Sequence, residues 1–187
     1  MALTPWKKLA VEVLHENPYW KYCKARFIGP KGKEHDYFFC DCLGGACVIG
    51  ITAEGTIPWV KQYRPLFARE SIELPMGGRG GQDPLPAAIR EFAEEAKMHA
   101  DHIEHVGQHA SCNGIVNETM DIFVAWGLQA IESEQDELEE FEHLLLTPDD
   151  VDRMIHAGEI TDGQSVAAWC QAKPRVLEVI DQLKAKR

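Results

Sequence analysis

The chain has 187 residues, of which 45% are hydrophobic and 26% charged, and its formal net charge at pH 7 is −11. This length and composition are typical of one globular domain with a sizeable core, with or without a short extension. The negative charge argues against a nucleic-acid backbone or an anionic membrane as the main partner, because both would repel the chain. If so acidic a protein handles an anionic small molecule, we expect a metal cation to mediate the contact.

Two features of the sequence bear on its compartment. The first residues contain no apolar run long enough for a signal peptide, and no stretch approaches the length of a membrane span. The six cysteines form neither CxxC pairs nor a regular framework, which is typical of reduced thiols. We therefore expect a cytoplasmic protein.

The first half of the chain is predicted to be rich in β-strands. Apolar and alternating runs, bounded by turn residues, predict six strands there. They lie at 8–17, 20–29, 35–42, 46–52, 56–63 and 71–75. Pro75 ends the last of them, because proline cannot donate a hydrogen bond to a sheet ladder.

A helix is predicted to follow. Asp83 is a candidate N-cap, and Pro84 stands at the first helical position, where its missing N–H group costs nothing. Glu91, Glu94 and Glu95 are neighbours on one flank of this helix. The apolar arc beside them consists of Leu85, Ala88, Ile89, Phe92 and Ala96. Three carboxylates so close together repel one another unless a positive charge lies among them.

The second half is predicted to alternate strands and helices. Three strands are expected at 102–110, 119–129 and 141–146. Thr147 is a predicted N-cap and Gly158 a predicted helix end, and a last helix begins at 163 and is kinked or restarted by Pro174. This order of elements predicts an α+β fold, with a mixed or antiparallel sheet covered on its faces.

The glutamates at helical spacing suit a hard divalent cation. Oxygen ligands of this kind are preferred by Mg²⁺ and Mn²⁺, which bind few protein carboxylates and take substrate phosphates as remaining ligands. Arg90 lies four residues before Glu94 and can partly neutralise it. Taken alone, the cluster is more typical of a solvated helix face.

Four histidines offer a competing metal hypothesis, because imidazoles suit zinc. They are His99, His102, His105 and His109. The stretch runs from a helix end into a strand, so its spacing does not point all four rings to one centre. We interpret them as surface and loop histidines.

The residues around the glutamates resemble the Nudix box, whose pattern is G-x5-E-x7-R-E-U-x-E-E-x-G-U with U apolar. The matching residues are Arg90, Glu91, Phe92, Glu94, Glu95 and Met98. Three further segments, at 60–78, 113–128 and 156–172, are similar to ADP-ribose pyrophosphatases of this family. The resemblance therefore extends over nearly the whole chain.

The resemblance implies a fold and an assembly. The fold would be the Nudix α/β/α sandwich with a mixed β-sheet, formed by residues 43–187. Residues 1–42 would form N-terminal strands that help to build a homodimer.

The resemblance also implies a chemistry. Such an enzyme uses Mg²⁺, or Mn²⁺, to hydrolyse the pyrophosphate of ADP-ribose or a related nucleoside diphosphate sugar, giving a nucleoside monophosphate and a sugar phosphate. Glu91 and Glu95 would bind the metal directly, together with the backbone carbonyl of Met76. Glu94 would act through water or on a second ion, and Arg90 would orient the carboxylates.

A base and a set of substrate contacts follow from the same resemblance. The acidic segment 132–142 stands where the subfamily's catalytic glutamate is expected, and Glu139 aligns best, followed by Glu137; most of this segment is a solvated acidic loop. The substrate contacts expected are Arg64, Trp20, Glu73 and Gly77. Trp20 would stack on the nucleobase across a dimer interface, or else is a partly buried strand residue. Trp6 is a weaker candidate for the same role.

The chain departs from the family pattern at several positions. Gln82 replaces the first glutamate of the box, Lys97 replaces the glycine that ends the helix, and the spacing is one residue short if Gly77 is the glycine of the box. Asn113 replaces a marker proline of the ADP-ribose subfamily, so that GDP-mannose or another nucleoside diphosphate sugar competes with ADP-ribose as the substrate. Gln82 and Lys97 leave open a weakly catalytic domain that binds a nucleotide.

Overall fold

The computed structural model of the chain describes residues 2–133 and 140–187. Within these ranges the chain forms ten strands and three helices. The strands are β1 (Lys7–Glu16), β2 (Trp20–Ile28), β3 (Glu34–Cys42), β4 (Gly45–Ile51), β5 (Ile57–Arg64), β6 (Arg69–Glu73), β7 (Met76–Gly78), β8 (Met98–Ala110), β9 (Thr119–Ala130) and β10 (Glu142–Leu146). The helices are α1 (Pro84–Ala96), α2 (Pro148–Ala157) and α3 (Gly163–Ala185).

A central four-stranded sheet has the order β7-β4-β9-β8. The strands β4 and β9 run parallel, whereas β7 and β8 pair antiparallel with their neighbours, so the sheet is mixed. Alternate residues of β4 enter two different cores: Ala46 and Val48 pack with residues of α1, and Cys47 and Ile49 pack with residues of α3. The helices α1 and α3 therefore cover opposite faces. The predicted α+β class and the α/β/α sandwich are confirmed.

A second sheet, of order β10-β5-β6, joins the core on the side of α3. Trp59 of β5 and Leu74, just after β6, are fully buried there. The antiparallel register sets Val60 opposite Glu73 and Arg64 opposite Arg69. Arg64 and Glu73 thus stand at opposite ends of this pairing, and the Arg64 side chain reaches back along the sheet to hydrogen-bond Glu73.

The N-terminal strands form a separate sheet of order β1-β2-β3. All ten residues of β1 are exposed. The sheet is attached to the remainder of the chain through the segment after β8. Tyr37 Oη donates to the carbonyl of Gly114 at 2.7 Å, and the backbone of Cys40 forms an isolated parallel β-bridge with Val116. That these strands act as a dimerisation unit remains a prediction.

Most of the helix ends agree with the sequence prediction. Thr147 and Asp150 form a capping box at the start of α2, and Gly158 ends it in the left-handed conformation, as predicted. Asp83 has the extended N-cap backbone, but none of the described N–H groups of α1 donates to its side chain. The helix α3 continues through Pro174 and does not restart there. The hydrogen bond that proline removes is to the carbonyl of Cys170, on an exposed part of the helix, where water can replace it.

One strand was not predicted and one begins four residues before its predicted start, whereas the other strand bounds agree with the prediction to within two residues. The strand β7 was not predicted, because three residues that include two glycines carry no alternation. The strand β8 begins at Met98 rather than 102, because Lys97 takes a left-handed turn directly after α1. Within the described residues, no helix is long and apolar enough to cross a membrane.

Candidate functional site

A pocket of about 480 Å³ opens where β7 lies against α1 at one end of the central sheet. Its polar wall consists of Arg64, Glu91, Glu95, Glu118 and Gln164, and the backbone of β7 forms part of the remainder. Helix, strand and loop residues from seven separate parts of the described sequence therefore meet at this pocket.

Two glutamates of α1 line the pocket although they are almost fully buried. The exposed fractions of Glu91 and Glu95 are 9% and 7%. The backbone N–H of Met76 donates to Glu95 Oε2 at 2.8 Å, which fixes that carboxylate against β7. A Cβ atom added at Gly77 would lie 2.1 Å from Glu91 Cδ, so the strand leaves room for this carboxylate only because residue 77 is glycine.

Arg90 is the positive group that lies among the three clustered glutamates. Its Nη2 atom is 2.7 Å from Glu91 Oε1, and its Nη1 atom is 3.3 Å from Glu94 Oε2. Nη2 also donates to the carbonyl of Gly78 at 3.0 Å, which ties the guanidinium to β7. The predicted contact of Arg90 with Glu94 is thus present. Glu94 itself lies on the flank of α1, with its side chain about half exposed.

The donor atoms at the pocket fit a divalent cation that is shared with a substrate. Among the described residues, no three His, Cys, Asp or Glu side chains converge as a complete protein-only metal site. Glu91 and Glu95 nevertheless present two buried carboxylates to one pocket, beside a glycine strand. Mg²⁺ is commonly held by one or two carboxylates plus substrate phosphates, so two carboxylates and open space suffice for it.

The histidines proposed as a zinc site are spread along β8 and have different neighbours. The ring of His102 stacks on Trp126 at 5.2 Å, and His105 Nε2 is 2.9 Å from Asp121 Oδ1. His99 is exposed, and His109 lies near the far end of the strand. The structure does not bring the four rings together.

Arg64 faces the pocket and is held by Glu73. The carboxylate of Glu73 is buried, with an exposed fraction of 3%, and receives two hydrogen bonds from the guanidinium, of which Nε to Oε1 measures 2.9 Å. Gln62 Nε2 donates to the same carboxylate at 3.3 Å. Hydrogen bonding to Glu73 raises the pKa of Arg64, so this side chain remains a cation. Glu73 positions Arg64, and in this structure it does not itself line the pocket.

The aromatic residues of the N-terminal segment differ in whether they line the pocket. Trp20 packs near His15, with ring centroids 6.2 Å apart, and is not among the described residues that line the pocket. Its neighbour Tyr19, in the turn between β1 and β2, does line the pocket. Trp6 packs against Phe27 within the N-terminal sheet. Stacking of Trp20 or Trp6 on a nucleobase remains a prediction.

The two proposed bases, Glu137 and Glu139, lie outside the described residues. The chain on either side of them is bonded to the end of α1. Lys97 Nζ donates to the carbonyl of Ser133 at 2.9 Å, and Ser133 Oγ donates to the carbonyl of Ala93 at 2.6 Å. On the other side, His143 Nε2 lies 2.7 Å from the carbonyl oxygen of Glu95.

Three polar side chains of the pocket were not predicted from the sequence: Tyr19, Glu118 and Gln164. Two of them lie inside segments whose overall similarity was recognised, but no local spacing singles them out. A turn, a strand start and a helix start contribute one residue each, and their meeting depends on tertiary packing.

No protein-family model matches the chain, but several known proteins are similar to it. The chain is 29% identical over 142 residues to an ADP-ribose pyrophosphatase of Bacillus subtilis (strain 168), which covers 74% of this chain and 77% of the relative. It is 33% identical over 128 residues to a methanol dehydrogenase activator of Bacillus methanolicus, which covers 67% and 69%. An ADP-ribose pyrophosphatase of Mycobacterium tuberculosis is 25% identical over 133 residues, covering 70% and 64%.

A solved structure, that of an ADP compounds hydrolase, has the same fold. It superimposes with a TM-score of 0.73 and 17% identity, covering 100% of this chain and 98% of the other. At this identity the likeness concerns the arrangement of strands and helices.

Proposed function

The chain belongs to the Nudix hydrolase family, and from this premise we propose that it hydrolyses the pyrophosphate bond of ADP-ribose to AMP and ribose 5-phosphate. The observation that carries the proposal is the pair of buried carboxylates, Glu91 and Glu95, that faces a pocket beside Gly77. Two curated relatives named ADP-ribose pyrophosphatase support the choice of substrate.

Charge explains why a cation belongs to this proposal. Glu91, Glu95 and Glu118 line the pocket and would repel the anionic pyrophosphate. Glu91 and Glu95, with the Met76 backbone, would hold Mg²⁺ or, as a substitute, Mn²⁺. When bound there, the metal neutralises phosphate charge and lowers the pKa of an attacking water molecule.

The side chains around the metal ligands have distinct proposed roles. Arg64, oriented by Glu73, offers its guanidinium to the phosphate oxygens of the substrate. Arg90 holds Glu91 in place, and Glu94 assists through water or a second ion. Glu139, or else Glu137, accepts a proton from the attacking water.

A second candidate substrate is GDP-mannose or another nucleoside diphosphate sugar. Asn113, which stands at the position of the ADP-ribose marker proline, lines a different pocket, of about 340 Å³, between the N-terminal sheet and the segment after β8. Within one chain this position therefore does not line the pocket that contains Glu91 and Glu95, and the choice between the two substrates stays open. A weakly catalytic nucleotide-binding domain is the third alternative, based on Gln82 and Lys97.

The experiment is a turnover assay with the purified chain and Mg²⁺. ADP-ribose, GDP-mannose, UDP-glucose and diadenosine polyphosphates are compared by release of nucleoside monophosphate. The variants Glu91→Gln and Glu95→Gln keep the shape of each side chain but remove its charge, and we expect each to lower kcat/KM by at least about a hundredfold. Glu54→Gln, at an exposed loop position, is the matched control and should retain the wild-type rate.

Two outcomes would contradict the proposal. Absence of turnover for every compound, with nucleotide binding intact, would favour the binding domain. Unchanged turnover in Glu95→Gln would show that the metal is held elsewhere.

We also propose that the chain forms a homodimer through β1, β2 and β3, and that it works in the cytoplasm. Apolar side chains exposed on the N-terminal sheet support the dimer, and the free thiols of all six cysteines fit a reducing compartment. A small nucleotide is the partner that the pocket would bind.

A further inference from the structure

The loop that leads from β7 to α1 has few side chains with which it can be held in place. Residues 78–82 are Gly-Arg-Gly-Gly-Gln. Gly80 and Gly81 are both left-handed, with φ 56° and 81°, and a Cβ atom at either would have no neighbour within 4 Å. Gln82, which replaces the first glutamate of the box, is exposed. Arg79 is therefore the side chain through which this loop can be anchored.

Arg79 turns inwards and reaches the start of β4. Its Nε atom donates to the carbonyl of Leu43 at 3.2 Å, and its backbone N–H donates to the carbonyl of Gly44 at 2.9 Å. Gly44 is left-handed, with φ 80°, and a Cβ atom there would lie 2.7 Å from Arg79 Nη2. The chain before β4 thus leaves room for the guanidinium only because residue 44 is glycine.

The guanidinium ends at a buried carboxylate of β9. Arg79 Nη1 lies 3.5 Å from Asp121 Oδ2, and the exposed fraction of Asp121 is 5%. Oδ2 accepts no hydrogen bond from the residues that the structure describes, whereas Oδ1 lies 2.9 Å from His105 Nε2 and accepts from Gln108 Nε2 at 3.3 Å. A buried carboxylate is costly unless an opposite charge lies near it, so Asp121 and Arg79 hold each other in place.

The pair lies outside the pocket but on the same side of the central sheet as α1. Asp121 is in register with Ala46 of β4, which packs with residues of α1, so both side chains lie on that face. Asp121 does not line the pocket that contains Glu91 and Glu95. Its charge can therefore act on those carboxylates only through Arg79 and the loop, which joins β7 to the start of α1.

We propose that Asp121 and Arg79 are positioning residues that anchor the loop and so hold β7 against α1, where Met76, Glu91 and Glu95 would bind the metal. The inference rests on the proposed function and adds to it an anchor outside the pocket. The anchor is an ion pair to the sheet, at a loop where the box has an uncharged glutamine.

The test measures the binding of Mn²⁺ to the free protein, by the electron paramagnetic resonance signal of unbound Mn²⁺. Asp121→Asn and Arg79→Gln each remove one charge of the pair. We expect either change to raise the Kd for Mn²⁺ about tenfold, as for other groups that orient metal ligands. The double variant should lose no more affinity than either single variant, because the two residues act as one unit.

Two further readouts separate positioning from a general loss of stability. Excess Mg²⁺ should restore kcat for ADP-ribose in Asp121→Asn, because the defect lies in metal affinity. Arg79→Lys keeps the positive charge and should recover part of the affinity that Arg79→Gln loses. Thermal melting of each variant reports whether it is folded. Arg79→Gln changes a partly exposed residue and keeps the test valid if Asp121→Asn fails to fold.

A matched control comes from the same two strands. Asp101 of β8 accepts a hydrogen bond from Gln129 Nε2 of β9 at 2.9 Å, near the opposite end of this strand pair. Asp101→Asn therefore removes a carboxylate from the same sheet without touching the loop, and it should bind Mn²⁺ as the wild type does.

The possible results separate the anchor from the proposed function. Wild-type Mn²⁺ affinity in both Asp121→Asn and Arg79→Gln, or a loss of activity that excess Mg²⁺ does not repair, overturns the anchor and leaves the hydrolase intact. If Glu95→Gln binds Mn²⁺ as tightly as the wild type, the metal is not held at this pocket, and the proposed function fails together with the anchor. If Mn²⁺ binds there but no sugar nucleotide is hydrolysed, the hydrolase proposal is wrong and the anchor of the metal site stands.

Discussion

Lys97 shows how a single side chain can replace a glycine at a helix end. Its backbone is left-handed, with φ 55° and ψ 39°, a conformation that is unfavourable for residues with a Cβ atom. The ammonium group donates to the carbonyl of Ser133 at 2.9 Å and lies 3.3 Å from Ser133 Oγ. The side chain therefore offsets part of the backbone strain and ties the chain after β9 to α1.

Two substitutions at this position separate strain from hydrogen bonding. In Lys97→Ala the strain stays and the hydrogen bonds are lost, so we expect the free energy of unfolding to fall by about 1 kcal/mol. In Lys97→Gly the hydrogen bonds are lost as well, but the backbone strain is relieved by about 1 kcal/mol, because glycine adopts the left-handed conformation freely. The free energy of unfolding of Lys97→Gly should therefore stay close to that of the wild type. Urea unfolding measures both. Equal stability of the two variants would show that the backbone at residue 97 is unstrained.

The pKa of His109 predicts a dependence of stability on pH. Burial holds the folded-state pKa below the unfolded value of about 6.5, although Asp162 and Glu118 act in the opposite direction. As the pH falls through about 6.5, the unfolded chain binds a proton that the folded chain refuses, so the free energy of unfolding decreases. His109→Gln lacks this group and should lose less stability between pH 7.5 and 5.5.

The measurement is urea unfolding at several pH values, in which only the slope is compared between variants. His99→Gln, at an exposed position of β8, is the control and should keep the wild-type slope. A slope of His109→Gln identical to that of the wild type would mean that the imidazole is hydrated rather than buried.

Between elements, the approach of β7 to α1 decides whether the glutamates can reach the pocket. Gly77 and Gly78 are adjacent on β7, but a Cβ atom at Gly77 would meet the Glu91 carboxylate, whereas one at Gly78 would meet nothing within 4 Å. Neither glycine has a positive φ, so alanine strains the backbone at neither position. A comparison of alanine at residue 77 with alanine at residue 78 therefore isolates a steric effect on the Glu91 carboxylate.

Gly77→Ala should lower kcat/KM at least about tenfold, because the displaced carboxylate no longer meets the metal and the phosphate in the required geometry. Stability should change little, since the obstructing group is the end of a flexible side chain. Gly78→Ala should remain close to the wild-type rate. If both variants were equally active, Glu91 would not be a metal ligand.

The sequence alone could predict neighbours within one element, but not neighbours that only packing brings together. Glu91, Glu94 and Glu95 were recognised because helical spacing brings them together within one element, and spacing is visible in a sequence. The strand β7 was missed because its three residues have no periodicity, and it was found only through its pairing with β4. Glu118 and Gln164 were missed for a related reason: only the packing of α3 on β9 places them beside α1.

Across the whole molecule, the N-terminal sheet leaves an unusual amount of apolar surface uncovered. Val11 and Val13 of β1 are each 48% exposed and two residues apart, so they share one face of an edge strand. Exposed edges and apolar patches of this kind favour association. The turn between β1 and β2 also places Tyr19 on the wall of the pocket that contains Glu91 and Glu95.

A second copy of the chain is the occupant that the proposed homodimer assigns to this surface. Replacing Val13 by lysine puts a charge where the two copies would meet, and we expect the Val13→Lys variant to sediment as a monomer at micromolar concentration. Leu177→Lys, an equally drastic change on the exposed side of α3, is the control and should remain a dimer. A wild-type chain that sediments as a monomer would contradict the dimer and leave the hydrolase proposal untouched, since Glu91 and Glu95 line one pocket within a single chain.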